Sequence, residues 1–458
     1  PVLLAACSMA PRYERPPLPV AEAWPVATES AGVRAAELAW QDYFVDRPLA
    51  ELIARALAHN RDLRVAALNI EKARALYQIQ GAAQFPAINA TAAESAQRTP
   101  AALTGTGHER ISRQYSLSVG IAAYELDFFG RVQSLKDQML EQYLATEEAQ
   151  RSARISLIAE VASAYLSTAA DQERLALAHA TLASQQASLA IVQRKHQIGV
   201  ASALDLAQAQ SGYESARAEV VRYRTGVAQG LNALTLLVGE SGLPADAVPA
   251  PLGERSLAGS AEPLAGTPAE VLLARPDVRQ AERQLRAANA NIGAARAAFF
   301  PRISLTASSG LASPVLGDLF QGASRTWAFL PQISLPLFNG GLNAANLEAA
   351  KVDREIRVAQ YEKAIQTAFR EVADALAQRA SIHEQLAAQS ALTEALVEAH
   401  RLTALRHEKG IASYLNVLDA QRAMYAAQQA LIATRQARQA NLVSLYKVMG
   451  GGDARSLP

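Results

Sequence analysis

From Arg131 to Gln197 the chain contains neither glycine nor proline, and the same holds from Leu342 to Lys409. In a helix interior, glycine costs about 1 kcal/mol and proline about 3 kcal/mol relative to alanine. Two such runs therefore predict two unbroken helices, each roughly 100 Å long at about 1.5 Å per residue. Few folds accommodate a helix of that length. Each run ends in the same short turn, Ile198-Gly199-Val200-Ala201-Ser202 in the first and Lys409-Gly410-Ile411-Ala412-Ser413 in the second. A shorter helical stretch follows each turn, ending at Gly239 and at Gly450. The chain is thus built around two helical hairpins with matching tips.

The repetition reaches upstream of the hairpins. The stretch from Asp62 to Phe85-Pro86 has its counterpart from Asp277 to Phe300-Pro301. After each, the hydrophobic period changes from helical to alternate residues. Ile88, Ala90 and Ala92 alternate with Asn89, Thr91 and Ala93, and Tyr115, Leu117, Val119 and Ile121 alternate with Ser116, Ser118 and Gly120. In the second half the same pattern runs through Ile303, Leu305 and Ala307 and through Ile333, Leu335 and Leu337. Each half thus reads as helix, two strands, long helix, shorter helix. The divisions expected are a signal-peptide remnant (1–6), an N-terminal arm with a short helix (7–60), a first repeat (61–239), a Gly/Pro/Ala/Ser-rich linker (240–267), a second repeat (268–450) and a tail (451–458).

Four strands cannot close a barrel with a lumen, because eight are already near the lower limit. An open sheet in lipid leaves unpaired backbone groups at several kcal/mol each. If the strands span a membrane, copies of the chain must assemble. Three copies give twelve strands, although the sequence alone also permits two or four. A soluble coiled-coil protein with small β domains is the competing fold. Heptads such as Val417, Met424 and Leu431, or Leu418, Tyr425 and Ile432, suit it. Strands of about 10 residues with a continuous apolar face favour the membrane. No run of about 18 apolar residues suggests a spanning helix.

The 44 basic and 43 acidic residues give a net charge of +1, which argues against a nucleic-acid partner. The one cysteine, Cys7, follows Leu4-Ala5-Ala6 and precedes a Pro-rich polar stretch. That setting is similar to a bacterial lipoprotein processing box, with Cys7 as the lipidated residue and residues 1–6 removed. Ser8 after the cysteine suits outer-membrane sorting.

With Leu273-Ala274-Arg275-Pro276-Asp277-Val278, Gly410-Ile411-Ala412-Ser413, Leu418-Asp419-Ala420-Gln421-Arg422 and Leu445-Tyr446-Lys447 in this order, the chain resembles outer-membrane efflux channels of the TolC/OprM type, in their lipoprotein (NodT-like) branch. The resemblance implies an α+β membrane protein. It implies a homotrimer with a twelve-stranded β-barrel, four strands per chain, and a long periplasmic α-barrel. It also implies an equatorial collar, to which the arm, linker and termini contribute. The implied role is the exit duct of a tripartite efflux pump, opened by a periplasmic adaptor and fed by an inner-membrane transporter of the RND type. Export of proteins, metals or solvents by the same fold is the alternative. No enzyme activity, metal or cofactor is expected beyond the lipid on Cys7.

Within that reading the tips are the candidate sites. Gly199, Val200, Ala201 and Ser202, with Gly410, Ile411, Ala412 and Ser413, are expected to receive the adaptor. Leu415 is expected to plug the closed mouth, Asp419 to form a carboxylate ring, and Arg422 to neutralise it. Gln208 stands where Asp419 stands in the other half, so one hairpin alone carries the charge. Glu160 and Glu371 correspond between repeats and are expected in lumen-facing or interhelical polar roles. His196 and His407 also correspond, and are expected to be solvated helix-end residues.

Overall fold

Both glycine- and proline-free runs are single helices in a computed structural model of the chain. The structure describes residues 9–26, 33–34, 39–105, 107–244, 247–257, 263–264 and 266–451. The order is β1 (Val33–Arg34), α1 (Trp40–Tyr43), α2 (Arg47–His59), α3 (Arg61–Ala82), β2 (Ile88–Thr99), β3 (Arg110–Leu126), α4 (Arg131–Gln197) and α5 (Ala203–Val238). There follow β4 (Pro263–Leu264), α6 (Pro268–Ala274), α7 (Pro276–Ala297), β5 (Arg302–Ser313), β6 (Arg325–Ser334), α8 (Leu342–Glu408) and α9 (Tyr414–Val448). The expected helix–strand–strand–helix–helix order is present in both halves.

The strands differ from expectation at their ends. β2 and β3 extend to Thr99 and back to Arg110, beyond the clean alternation, because hairpin pairing continues through the polar residues. β6 stops at Ser334, so Leu335 and Leu337 lie outside it. Pro336 has no backbone N–H to continue a ladder. Pro331 lies in β6, which within the chain has the single neighbour β5. The 240–267 linker is not wholly irregular, since β4 within it pairs in parallel with β1 of the arm.

Two compact units divide the chain, and each draws on both repeats. The first comprises residues 1–17, 69–147 and 280–361. It holds one antiparallel sheet in the order β2-β3-β5-β6. The register sorts the side chains. Ile88, Ile121, Ala307 and Phe329 share one row, and Ala90, Val119, Ser309 and Trp327 share the next, all on one face. Thr91, Ser118, Gly310 and Thr326 lie on the other, which is small and polar. Gly120 and Gly310 face close backbone: a Cβ at either would meet a carbonyl oxygen of the neighbouring strand at 2.4 or 2.3 Å. A bulge between Ile121 and Tyr124 places Ala123 at φ 51°. At the foot of the sheet, Glu125 grips Arg131, the first residue of α4, at 2.8 and 2.7 Å, and Arg302, the first of β5, at 2.7 Å.

The second unit comprises residues 18–68, 148–279 and 362–458. Its core joins Tyr43, Phe44, Leu49, Leu52 and Ile53 to Ile158, Val161, Tyr165 and Leu166 of α4, with Leu234, Val238 and Tyr446. Burying each such side chain contributes roughly 1.5–3 kcal/mol. Asp46 caps α2 and also accepts from the Tyr165 hydroxyl at 3.1 Å.

Candidate functional site

Each hairpin tip is built by the same local chemistry. Gly199 and Gly410 adopt φ of 78° and 75°, the left-handed region that glycine enters without a steric cost. Val200 N–H donates to the Lys195 carbonyl and Ile411 N–H to the Arg406 carbonyl, both at 2.8 Å, while each glycine N–H donates to a histidine carbonyl. This is a Schellman motif, which satisfies the last carbonyls of a helix. Ser202 and Ser413 then cap α5 and α9, accepting from Asp205 N–H and Asn416 N–H. They stand outside the helices, which begin one residue later, at Ala203 and Tyr414. Asp205 completes a capping box, and the Ser202 hydroxyl and backbone N–H hold its carboxyl below the usual aspartate range.

His196 and His407 have a role that spacing alone did not disclose. Nδ1 of His196 lies 2.9 Å from the Ala201 carbonyl, and Nδ1 of His407 lies 2.9 Å from the Ala412 carbonyl. Each ring ties the end of one helix to the start of the next. Their equal spacing from the glycines was the available signal.

The tips are apolar and open. Ile198, Val200 and Ile411 are 71%, 71% and 66% exposed. Ala201 and Ala412 are half-buried, and both glycines and both serines are exposed. Beyond the second turn, Leu415 is 46% exposed, while Leu418 is buried. Asp419 and Arg422 form an ion pair at 3.0 Å, with both side chains largely in solvent. Leu418, Gln421, Arg422 and Tyr425 line a groove of about 470 Å³ with Gln185, Gln208 and Gly212. Asp419 and Gln208 therefore differ in chemistry at matching positions, and Gln208 faces that groove.

Glu160 and Glu371 part company. Glu160 is exposed. Glu371 is bound at 2.7 Å by Arg275, which also grips Asp277 at 2.7 Å and donates to the Val448 carbonyl at 2.9 Å. Arg275 itself is 7% exposed. Arg275 lies within the Leu273-to-Val278 motif, whose spacing alone points to no role for it. Its counterpart in the first repeat is Asn60, which caps α3 and donates to the Leu237 carbonyl at 2.9 Å. Each residue joins the start of one helix to the end of another. Cys7 lies outside the described residues. Among the described residues, no group of three or more His, Cys, Asp or Glu could hold a metal ion.

The chain as a whole is similar to known proteins. A model of the family described as "Outer membrane efflux protein" matches residues 52–240 and 267–451. The chain is 49% identical over 456 residues to the probable efflux pump outer membrane protein TtgC of Pseudomonas putida, covering 98% of the chain and 93% of the relative. It is 46% identical over 458 residues to the outer membrane protein OprJ of Pseudomonas aeruginosa, covering 99% and 95%. Among solved structures it is similar to the open state of the Neisseria gonorrhoeae MtrE outer membrane channel, with a TM-score of 0.88 at 40% identity, covering 97% of this chain and 98% of that one.

Proposed function

The chain belongs to the outer membrane efflux protein family, and from that premise we propose that three copies close a single exit duct through the outer membrane. It is an outer-membrane efflux channel protein with the TolC-like fold. The observation that carries the trimer reading is the open four-stranded sheet. Its outer strands, β2 and β6, each have one neighbour, and one of its faces is apolar. In lipid, both edges need partners. Three copies supply a twelve-stranded wall with the apolar face outward and the Ser/Thr/Gly face toward a wet lumen.

The remaining readings follow from this one. The exposed apolar tips around Gly199 to Ser202 and Gly410 to Ser413 suit a periplasmic adaptor hairpin, and an inner-membrane transporter supplies the driving force. Leu415, Asp419 and Arg422 form the resting constriction. The substrate passes without chemical conversion. Cys7 carries the lipid anchor. Drugs and organic solvents are the favoured cargo, because relatives are named as antibiotic and toluene efflux components.

The test is deletion with complementation in the native host, scored by antibiotic susceptibility, toluene tolerance and dye accumulation. Loss of tolerance and a rise in accumulation are expected. Unchanged values in all three would overturn the efflux role. Mass measurement of the purified protein tests the assembly separately, and a monomer or dimer with intact transport would overturn the trimer. Cys7→Ser should release the mature chain from lipid labelling.

A further inference from the structure

The apolar face of the sheet changes chemistry in order along its strands. Ile88, Ile121, Ala307 and Phe329 form one row, then Ala90, Val119, Ser309 and Trp327. The next row toward the hairpin loops is Ala92, Leu117, Leu311 and Arg325. Beyond it come Glu94, Tyr115 and Ser313, then Ala96 and Arg113, then Arg98 and Ile111. Within β6 the order is Phe329, Trp327, Arg325; within β3 it is Val119, Leu117, Tyr115, Arg113. Both strands thus pass from aliphatic or aromatic to basic on the same face, and an aromatic side chain precedes the arginine in each.

An arginine on a lipid-facing strand is strongly disfavoured at the bilayer midplane and nearly neutral near the interface. These arginines therefore mark the boundary of the apolar zone. Aromatic residues favour that same depth. Three arginines also face one carboxylate, Glu94, on this part of the face. Arg98 is tied across the hairpin to Glu109. Arg113 and Arg325 are exposed, and among the described residues neither lies within ion-pair distance of a carboxylate. A guanidinium presents a planar fork of donors matched to phosphate.

We propose that this end of the face is a binding surface for phosphate-bearing lipid in the leaflet beside the hairpin loops. Arg113 and Arg325 grip phosphate, Arg98 adds a weaker contact, and Trp327 and Tyr115 sit among the chain ends beneath. The proposal rests on the apolar face being the lipid-facing wall of the barrel.

The experiment uses the full chain purified in neutral detergent and incubated with diphosphoryl lipid A, its dephosphorylated form, or phosphatidylcholine. Bound lipid is counted by native mass spectrometry. Wild type should retain the phosphorylated lipid alone, and millimolar inorganic phosphate should not displace it. Arg113→Gln with Arg325→Gln should weaken retention about twenty-five-fold, taking about fivefold per arginine near an anionic surface. Arg222→Gln, an exposed arginine in the other unit, should change nothing. Equal retention by the double variant, equal retention of the dephosphorylated lipid, or displacement by phosphate would each overturn the proposal. Quenching of Trp327 by brominated acyl chains, in a Trp24→Phe/Trp40→Phe background, tests the underlying reading independently. Quenching with no arginine effect sinks the lipid surface alone. No quenching sinks the lipid-facing assignment and the proposal with it.

Discussion

At the scale of single residues, the repeat pairs separate what the duplication kept from what it changed. Gly199 and Gly410 were kept, with matching φ and matching histidine ties. Glu160 and Glu371 were not kept in role, because Arg275 replaces Asn60 and recruits Glu371. Arg275→Ala leaves the Val448 carbonyl without this donor and removes the cation between Asp277 and Glu371. Breaking a buried pair costs about 3–5 kcal/mol, and these partly exposed carboxylates reduce that to about 2–3 kcal/mol. Thermal melting of the purified protein should show the loss. Glu160→Ala, at the matching but exposed position, should stay within about 0.5 kcal/mol. Equal effects of the two substitutions would remove the distinction. Gly410→Val should cost about 1–2 kcal/mol of left-handed strain and distort the apolar tip. If adaptor cross-linking and drug tolerance survive it, the tip is not the docking surface.

At the scale of elements, hydrophobic period and helix breakers made the long helices and the four strands of the main sheet legible, with helix ends agreeing within a few residues, whereas α6 and the β1–β4 pair were not legible. Clasps between distant segments were not legible, because they depend on tertiary approach. Residues 9–17 show this within the first unit. Tyr13 donates to Glu282 at 3.2 Å, and Arg15 reaches it at 3.1 Å. Arg286 reaches the same carboxylate at 2.7 Å and lies 4.7 Å over the Tyr13 ring. Asn289 donates to the Pro11 carbonyl, and Gly293 is the close approach, since a Cβ there would lie 2.7 Å from Ala10 N. Burial pushes the Glu282 carboxyl up, and Arg286 and Arg15 outweigh it, leaving the group below the usual glutamate range. A depressed carboxylate stabilises the docked arm above its unfolded value, about pH 4.3. That contribution disappears as the pH falls from there through the lower folded value. The hydrogen-exchange protection factors of residues 9–17, corrected for the intrinsic pH dependence of exchange, should fall across that acid window and stay flat between pH 6 and 8. Glu282→Gln should abolish the acid step, and an unaltered step would assign the arm's acid sensitivity to another group.

At the scale of the whole molecule, duplication was readable from two turns, and it leads to one asymmetry that bears on opening. The first return helix carries Gln208 where the second carries Asp419. The Asp419–Arg422 pair is solvent-exposed at 3.0 Å, so each partner screens the other weakly and at little energetic gain. In the closed trimer proposed above, three such carboxylates would approach one another, where like charges at close range repel. On that proposal Arg422 offsets the repulsion within its own chain, and Asp419 supplies a ring attractive to cations. Asp419→Ala should raise single-channel conductance in planar bilayers and abolish block by multivalent cations added on the tip side. Arg422→Ala should leave cation block intact or stronger, because the carboxylates lose their partner. Gln208→Ala should change neither quantity, since that position carries no charge. Conductance and block that are the same for Asp419→Ala as for wild type would place the constriction elsewhere, and a loss of block in Arg422→Ala would assign the cation site to something other than the aspartate ring.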